Sequence, residues 1–127
     1  FNSHYDHQGK IARRESSHLL LKKIREIAGE KAIVFATGDF NAVPTDEPIV
    51  TLAADGLLLD SYTRSETPRY GTEGTFSSFQ LDAPMQNRID YIWVTKQISV
   101  KKYAVLNDMQ YGHFPSDHFP VMIQAAF

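Results

Sequence analysis

The side chains able to do chemistry fall in separated short segments: His4, then Asp39 with Asn41, then Asp90, then Asp117 with His118. Asp39 and Asn41 follow the apolar run Ala32 to Thr37, which lies between Gly29 and Gly38 and reads as a buried strand. If the backbone stays extended, residues two apart project to the same side. A carboxylate and a carboxamide then face one point, which suits a hard cation or a phosphate with its attacking water. A second reading of Gly38-Asp39-Phe40-Asn41 is a loop whose Asp and Asn form Asx turns. Asp90 interrupts a strand that is otherwise apolar and aromatic, and a carboxylate there is costly unless paired or ligated. Each position also has a structural explanation alone: a loop histidine at His4, an Asp90 that holds Arg88 or a backbone amide, a turn at Asp117, a half-buried imidazole at His118.

The elements that must position these residues follow from periodicity. Leu20, Leu21, Ile24, Ile27 and Ala28 recur at helical spacing between Ile11 and Ala28, and Gly29 is a natural stop. A short helix is expected from Pro48 to Gly56, capped by Thr45 or Asp46 and packing Ile49, Leu52 and Ala53. Leu57 to Leu59 returns to the core, and Asp60 to Gly74 reads as a long surface loop. Strands are expected at Phe1–His4, Thr75–Phe79, Arg88–Thr95, Ile98–Leu106 and Phe119–Ala126. Within Arg88–Thr95, alternation puts Arg88, Asp90, Ile92 and Val94 on one face and Ile89, Tyr91 and Trp93 on the other.

Composition narrows the class. A chain of 127 residues, 43% hydrophobic, has room for one core. Its formal net charge of -2 supplies no general basic field for nucleic acid. With no cysteine, disulfides and thiolate zinc sites are excluded.

Taken in order, F-N-S-H ending at His4, G-D-F-N across Gly38–Asn41, R-I-D-Y-I across Arg88–Ile92 and S-D-H-F-P-V across Ser116–Val121 resemble the successive motifs of the endonuclease/exonuclease/phosphatase superfamily, the deoxyribonuclease I-like fold. The resemblance implies an α+β (α/β) architecture: the C-terminal half of a four-layer α-β-β-α sandwich, with a mixed or antiparallel sheet and helices on its outer face. Residues 1–127 would form a single partial domain. The implied activity is metal-dependent phosphoester hydrolysis by an activated water. Asp39 would orient and activate the water, and Asn41 would hold it or a phosphoryl oxygen. His118 would act as acid/base or stabilise charge on phosphorus, with Asp90 fixing its tautomer. Asp117, with Asp39, would contribute to a Mg²⁺ site that Mn²⁺ could also fill, and His4 would donate to a nonbridging oxygen. Tyr5, Asp6 and His7 either line the substrate pocket or hold their loop together, and Arg13 and Arg88 brace the neighbouring loops.

Members of this superfamily carry the glutamate that is the principal Mg²⁺ ligand in their N-terminal half, which these residues do not include. The inner face of the sheet is therefore expected to be strongly apolar and to meet the missing N-terminal half or a self-associating copy. Little or no hydrolysis is expected of the chain alone. The substrate class stays open among small phosphoesters, lipid headgroups and nucleic acid. A non-catalytic binding or assembly module is the alternative function. A zinc hydrolase built on His4-Tyr5-Asp6-His7 ranks low, because Asn2 stands where a further histidine is needed.

Overall fold

The structure is a computed structural model describing residues 1–127. Its main sheet has the order β1-β2-β4-β3, formed by β1 (Asn2–His4), β2 (Phe35–Asp39), β3 (Leu59–Asp60) and β4 (Asp90–Val94). β1 runs parallel to β2, and β4 is antiparallel to both β2 and β3, so the sheet is mixed. A second, two-stranded antiparallel sheet pairs β5 (Ser99–Val105) with β6 (Val121–Ala126).

Helix α1 (Lys10–Ile27) buries Ser17, Leu20, Leu21 and Ile24, a stripe at the i, i+3, i+4, i+7 positions. Gly29, in the left-handed region at φ 82°, follows its end. Helix α2 (Glu47–Asp55) has Pro48 in its first turn and ends at the left-handed Gly56. Asp46 stands at its N-cap, but its carboxylate instead accepts from the Val43 N–H at 3.0 Å, so the expected side-chain cap is absent. Both helices cover one face of the main sheet, where Ala36, Tyr91 and Trp93 join Leu20, Leu21, Ile24, Ile49 and Leu52 in the largest core cluster. Alternation along β4 turns Tyr91 and Trp93 into this core and leaves Asp90 and Ile92 on the opposite face.

Three sequence expectations are corrected. Thr75–Phe79 is not a strand: only Phe76 forms an isolated bridge, to His118, and the chain then turns. The turn is made with positive φ at Ser78 and Phe79, which β-pattern reasoning does not anticipate. Arg88 does not share the face of Asp90, because the Arg88 N–H bonds the Gln86 carbonyl at 3.1 Å in a turn before β4 begins. Its guanidinium swings to the helix side, 4.3 Å from the Tyr62 ring centre and 4.5 Å from that of Tyr91. The 60–74 loop begins with a short helix, α3 (Ser61–Arg64), which the Asp60 carboxylate caps by accepting from the Tyr62 N–H at 2.9 Å.

The opposite face of the main sheet is mixed, not strongly apolar as expected, because β2 and β4 turn Thr37, Asp39 and Asp90 to it. Phe35, Leu59 and Ile92 pack with Val94, Ile98, Val100, Ile123 and Ala125, which ties the two sheets together. Thr37, Asp39, Asp90 and His118 give the rest of that face a polar end.

Candidate functional site

Strand register builds the site. His4 is paired with Asp39 across β1 and β2, and Asp39 with Asp90 across β2 and β4. Directly opposed residues on neighbouring strands share a face, so an imidazole and two carboxylates stand in one row at the sheet's end. His4 Nε2 lies 3.2 Å from Asp39 Oδ2, with the imidazole largely exposed and the carboxylate largely covered. The close approach of β1 depends on Gly38, where a Cβ would fall 1.7 Å from the Ser3 carbonyl oxygen.

Asn41 reaches Asp39 by a different route from the extended one. Its backbone is left-handed at φ 46°. Its own N–H donates to Asp39 Oδ1 at 2.8 Å, an Asx-type turn, and its Nδ2 donates to the Tyr5 carbonyl at 2.9 Å and approaches Asp39 Oδ2 at 3.3 Å. The turn reading and the convergent reading of this stretch are both met. With Nδ2 turned toward Tyr5, Asn41 Oδ1 accepts no hydrogen bond.

The loop entering β6 brings His118 to the row. His118 Nδ1 lies 2.8 Å from Asp90 Oδ2, and since a carboxylate only accepts, Nδ1 carries the proton. Nε2 then points toward Asp39, 3.9 Å from Oδ2. Partial burial pulls the His118 pKa down, but the Asp90 hydrogen bond and the charges of Asp90, Asp39 and Asp117 outweigh it and raise the pKa above the ordinary imidazole value. Burial raises the Asp90 pKa, opposed by its bonds to Thr75 and His118. An open cleft of about 430 Å³ runs over Asp39, Asp90 and His118 toward Ile92 and Val121.

Thr75 is the residue that sequence reasoning missed. Fully buried, it donates from Oγ1 to Asp90 Oδ2 at 2.7 Å and accepts from the Ile89 and Asp90 N–H groups at 3.1 Å each. Its carbonyl accepts from the Phe119 N–H at 2.7 Å, so one residue ties Asp90 to the chain beside His118. Nothing in T-F-S-S distinguishes such a threonine from an ordinary strand residue.

The remaining candidates part company with the site. Tyr5 is a core residue, 4% exposed, with its ring 4.7 Å from that of Phe40; it does not line the cleft over Asp39 and His118. Its contribution is the carbonyl that holds Asn41. Asp6 closes its own loop by accepting from the Gly9 and Gln8 N–H groups at 2.6 and 2.7 Å, which hold its carboxyl below the usual range. His7 is exposed and outside that cleft. Arg13 braces the same loop by donating to the Asp6 carbonyl at 3.0 Å. Arg88, 3% exposed, bonds Asp60 at 2.8 Å. Asp117 anchors the His118 loop through its carbonyl, which accepts from the Ser77 N–H at 2.8 Å, and its carboxylate is not in the close group formed by Asp39, Asp90 and His118.

That group presents ligand atoms within 4.8 Å of one another. Two of its members bond each other, and the Asp39 oxygens already accept from Asn41 and lie beside His4, so the oxygen donors with capacity left are the remaining lone pairs of the Asp39 carboxylate and Asn41 Oδ1. Oxygen donors are the ligand class a hard cation takes.

Known proteins carry the same arrangement of chain. The solved structure of a Bacteroides thetaiotaomicron mannosyl-6-phosphatase superposes with a TM-score of 0.91 at 38% identity, covering 100% of this chain and 50% of that one. An endonuclease/exonuclease/phosphatase from Bacteroides vulgatus gives a TM-score of 0.86 at 32% identity, over 97% of this chain and 47% of that one. Rat nocturnin is 28% identical over 120 residues, 85% of this chain and 28% of that protein. The chain thus spans half or less of the length of these relatives. A model of the endonuclease/exonuclease/phosphatase family matches residues 3–118, which include His4, Asp39, Asn41, Asp90 and His118, and the chain belongs to that family.

Proposed function

We propose that the protein carrying this chain hydrolyses phosphoric esters with an activated water, assisted by Mg²⁺ or, in its place, Mn²⁺. The observation that carries this reading is the row His4, Asp39, Asp90 across three adjacent strands, with His118 bonded to its last member. Asp39 orients the water and accepts its proton, while the Asn41 N–H groups hold Asp39 and the Tyr5 carbonyl and leave Oδ1 to accept from the water or to meet the cation; Asn41 holds a phosphoryl oxygen only if Nδ2 leaves the Tyr5 carbonyl. Asp90 keeps the proton on His118 Nδ1, so that Nε2 faces the reacting phosphate and exchanges a proton there. His4 donates to a nonbridging oxygen, as displacement at phosphorus requires. Asp39 and Asn41 Oδ1 would hold the Mg²⁺, with Asp117 reaching it through water, and the ion would supply charge neutralisation at the phosphoryl oxygens.

The substrate that best fits this reading is a small phosphoester. The name of the mannosyl-6-phosphatase relative supports a sugar phosphate, and the net charge of -2 offers little attraction to a polyanion. Residues 1–127 by themselves turn over little or no substrate, because the cation's shell is incomplete without a glutamate from an N-terminal half. That half, or a self-associating copy, covers the half-buried sheet face that carries Thr37, Asp39 and Ile92.

Phosphate release from sugar phosphates, inositol phosphates and a generic phosphodiester, measured with Mg²⁺, tests the assignment. Asp39→Ala and His118→Ala lower turnover by about 10²–10⁴-fold if the roles are right, and unchanged rates refute them. Turnover by the 127-residue chain equal to that of a longer protein refutes its dependence on a second half.

A further inference from the structure

Thr75-Phe76-Ser77 lies antiparallel to Asp117-His118-Phe119, and two short bonds set the register. The Phe119 N–H donates to the Thr75 carbonyl at 2.7 Å, and the Ser77 N–H donates to the Asp117 carbonyl at 2.8 Å. Phe76 and His118 are therefore the non-hydrogen-bonded pair between those bonds, the kind in which directly opposed side chains come closest. The Phe76 ring stands 4.9 Å from the His118 imidazole, centre to centre, with the two planes inclined at 58°. This separation and tilt suit an attractive aromatic pair. The Ser77 hydroxyl adds a further bond to the Asp117 carbonyl at 3.2 Å, and Thr75 Oγ1 donates to Asp90 Oδ2 at 2.7 Å. Three successive residues thus hold Asp90, His118 and Asp117 in turn.

Core packing does not account for the Phe76 ring. The residue is half-buried, yet it belongs to none of the three core clusters and packs against none of them. Its aromatic partner is His118. The imidazole has use for such a support. The His118 backbone is held, because its N–H donates to Ser116 Oγ at 3.2 Å. The side chain, 29% exposed, makes one hydrogen bond, from Nδ1 to Asp90 Oδ2 at 2.8 Å. The last torsion of a histidine side chain has broad wells, so a single bond at one edge leaves the ring room to rock. Rocking carries Nε2 away from the point it faces beside Asp39, and small misplacements of a reacting group are costly in rate.

We propose that Phe76 is a positioning residue for the hydrolysis: its ring bears on the His118 imidazole and holds its plane, so that Nε2 stays aimed at the phosphate while Nδ1 keeps Asp90. This rests on the phosphoesterase reading and adds to it a side chain that acts through His118 and touches neither substrate nor cation.

The test uses the ester turned over fastest among a sugar phosphate, an inositol phosphate and a phosphodiester, with Mg²⁺, in the protein that carries this chain. Phe76→Ala is expected to lower kcat about tenfold, the order that an aromatic pair is worth, with KM within about twofold of the parent. Phe76→Tyr, which keeps the ring, restores kcat. In a His118→Ala background, which leaves no imidazole to hold, Phe76→Ala has no further effect, whereas a contact with substrate or a part in folding would persist there. Unchanged kcat in Phe76→Ala, or no recovery in Phe76→Tyr, with turnover still lost in His118→Ala, overturns the positioning role and leaves the hydrolase reading standing. An equal loss in both backgrounds, a rise in KM at unchanged kcat, or a loss of activity that tracks a fall in thermal midpoint overturns it as well, because the ring then serves the substrate or the fold. No turnover of any ester by the unmutated protein overturns both.

Discussion

Replacing Thr75 by valine removes one hydroxyl of nearly unchanged shape, and three bonds depend on that oxygen. Oγ1 donates to Asp90 Oδ2 at 2.7 Å and accepts from the N–H groups of Ile89 and Asp90 at 3.1 Å each. Thr75 is fully buried, so water does not replace its hydroxyl at the two amides without a local opening, whereas the Asp90 carboxylate, at the edge of the cleft, stays partly hydrated. An unsatisfied buried donor costs about 1–3 kcal/mol. Two amides lose their partner and one carboxylate loses a donor, while the added methyl contributes about 1 kcal/mol of apolar burial in compensation. A net destabilisation of about 2–4 kcal/mol follows for Thr75→Val, against about 1 kcal/mol for Thr75→Ser, which keeps the hydroxyl and loses only a methyl. Urea unfolding of both variants, in the protein that carries this chain, measures the difference. Because the Thr75 bond lowers the Asp90 pKa against the effect of burial, Thr75→Val also raises the Asp90 pKa further. A Thr75→Val variant within about 0.5 kcal/mol of the parent would mean that these amides and this carboxylate find other partners, and the role given to Thr75 would be wrong.

Asp90→Asn removes the charge and hydrogen bond that raise the His118 pKa, so the imidazole titrates at lower pH, as NMR of its ring protons reads directly. In the parent, the folded pKa exceeds the unfolded value of about 6.5. The stability contributed by His118 is therefore full below that pH and is lost as pH rises through the folded value, a step that Asp90→Asn should diminish in denaturation curves taken at successive pH. Gly38→Ala sets a Cβ against the Ser3 carbonyl oxygen and should separate β1 from β2, carrying His4 away from Asp39; amide exchange that leaves β1 as protected as in the parent would contradict this. Arg88→Met leaves the Asp60 carboxylate, 12% exposed, without its 2.8 Å partner and should cost about 3–5 kcal/mol in denaturant unfolding.

Much of the frame was legible from residue patterns. The spacing of Leu20, Leu21 and Ile24 and the stops at Gly29 and Gly56 gave both long helices to within a residue or two, because amphipathic helices with glycine ends are local facts. Asp90 stood out because a carboxylate in an apolar strand requires a partner, and His118 at 2.8 Å is that partner. What escaped depends on backbone states or distant register. Asn41 converges on Asp39 through a left-handed backbone rather than an extended one. Thr75, Phe76 and Phe79 are strand-forming residues, yet the Ser77–Asp117 bonds impose a turn whose two left-handed residues no propensity favours. Tyr5 looked like a pocket residue from its neighbours His4 and Asp6, while the ring packs on Phe40 in the core. Thr75 was unreadable because its importance lies in bonds to residues 14 and 15 positions away in sequence.

The most direct test of the central claim is Mg²⁺-dependent phosphate release by the protein that carries this chain, compared among the parent, Asp39→Ala, His118→Ala and, as a control at an exposed position outside the cleft, Lys96→Gln. Loss of turnover by about 10²–10⁴-fold in the first two variants, with the third close to the parent, is the expected result. Equal turnover in the parent, Asp39→Ala and His118→Ala would show that the His4–Asp39–Asp90 row and His118 do not form a hydrolytic site.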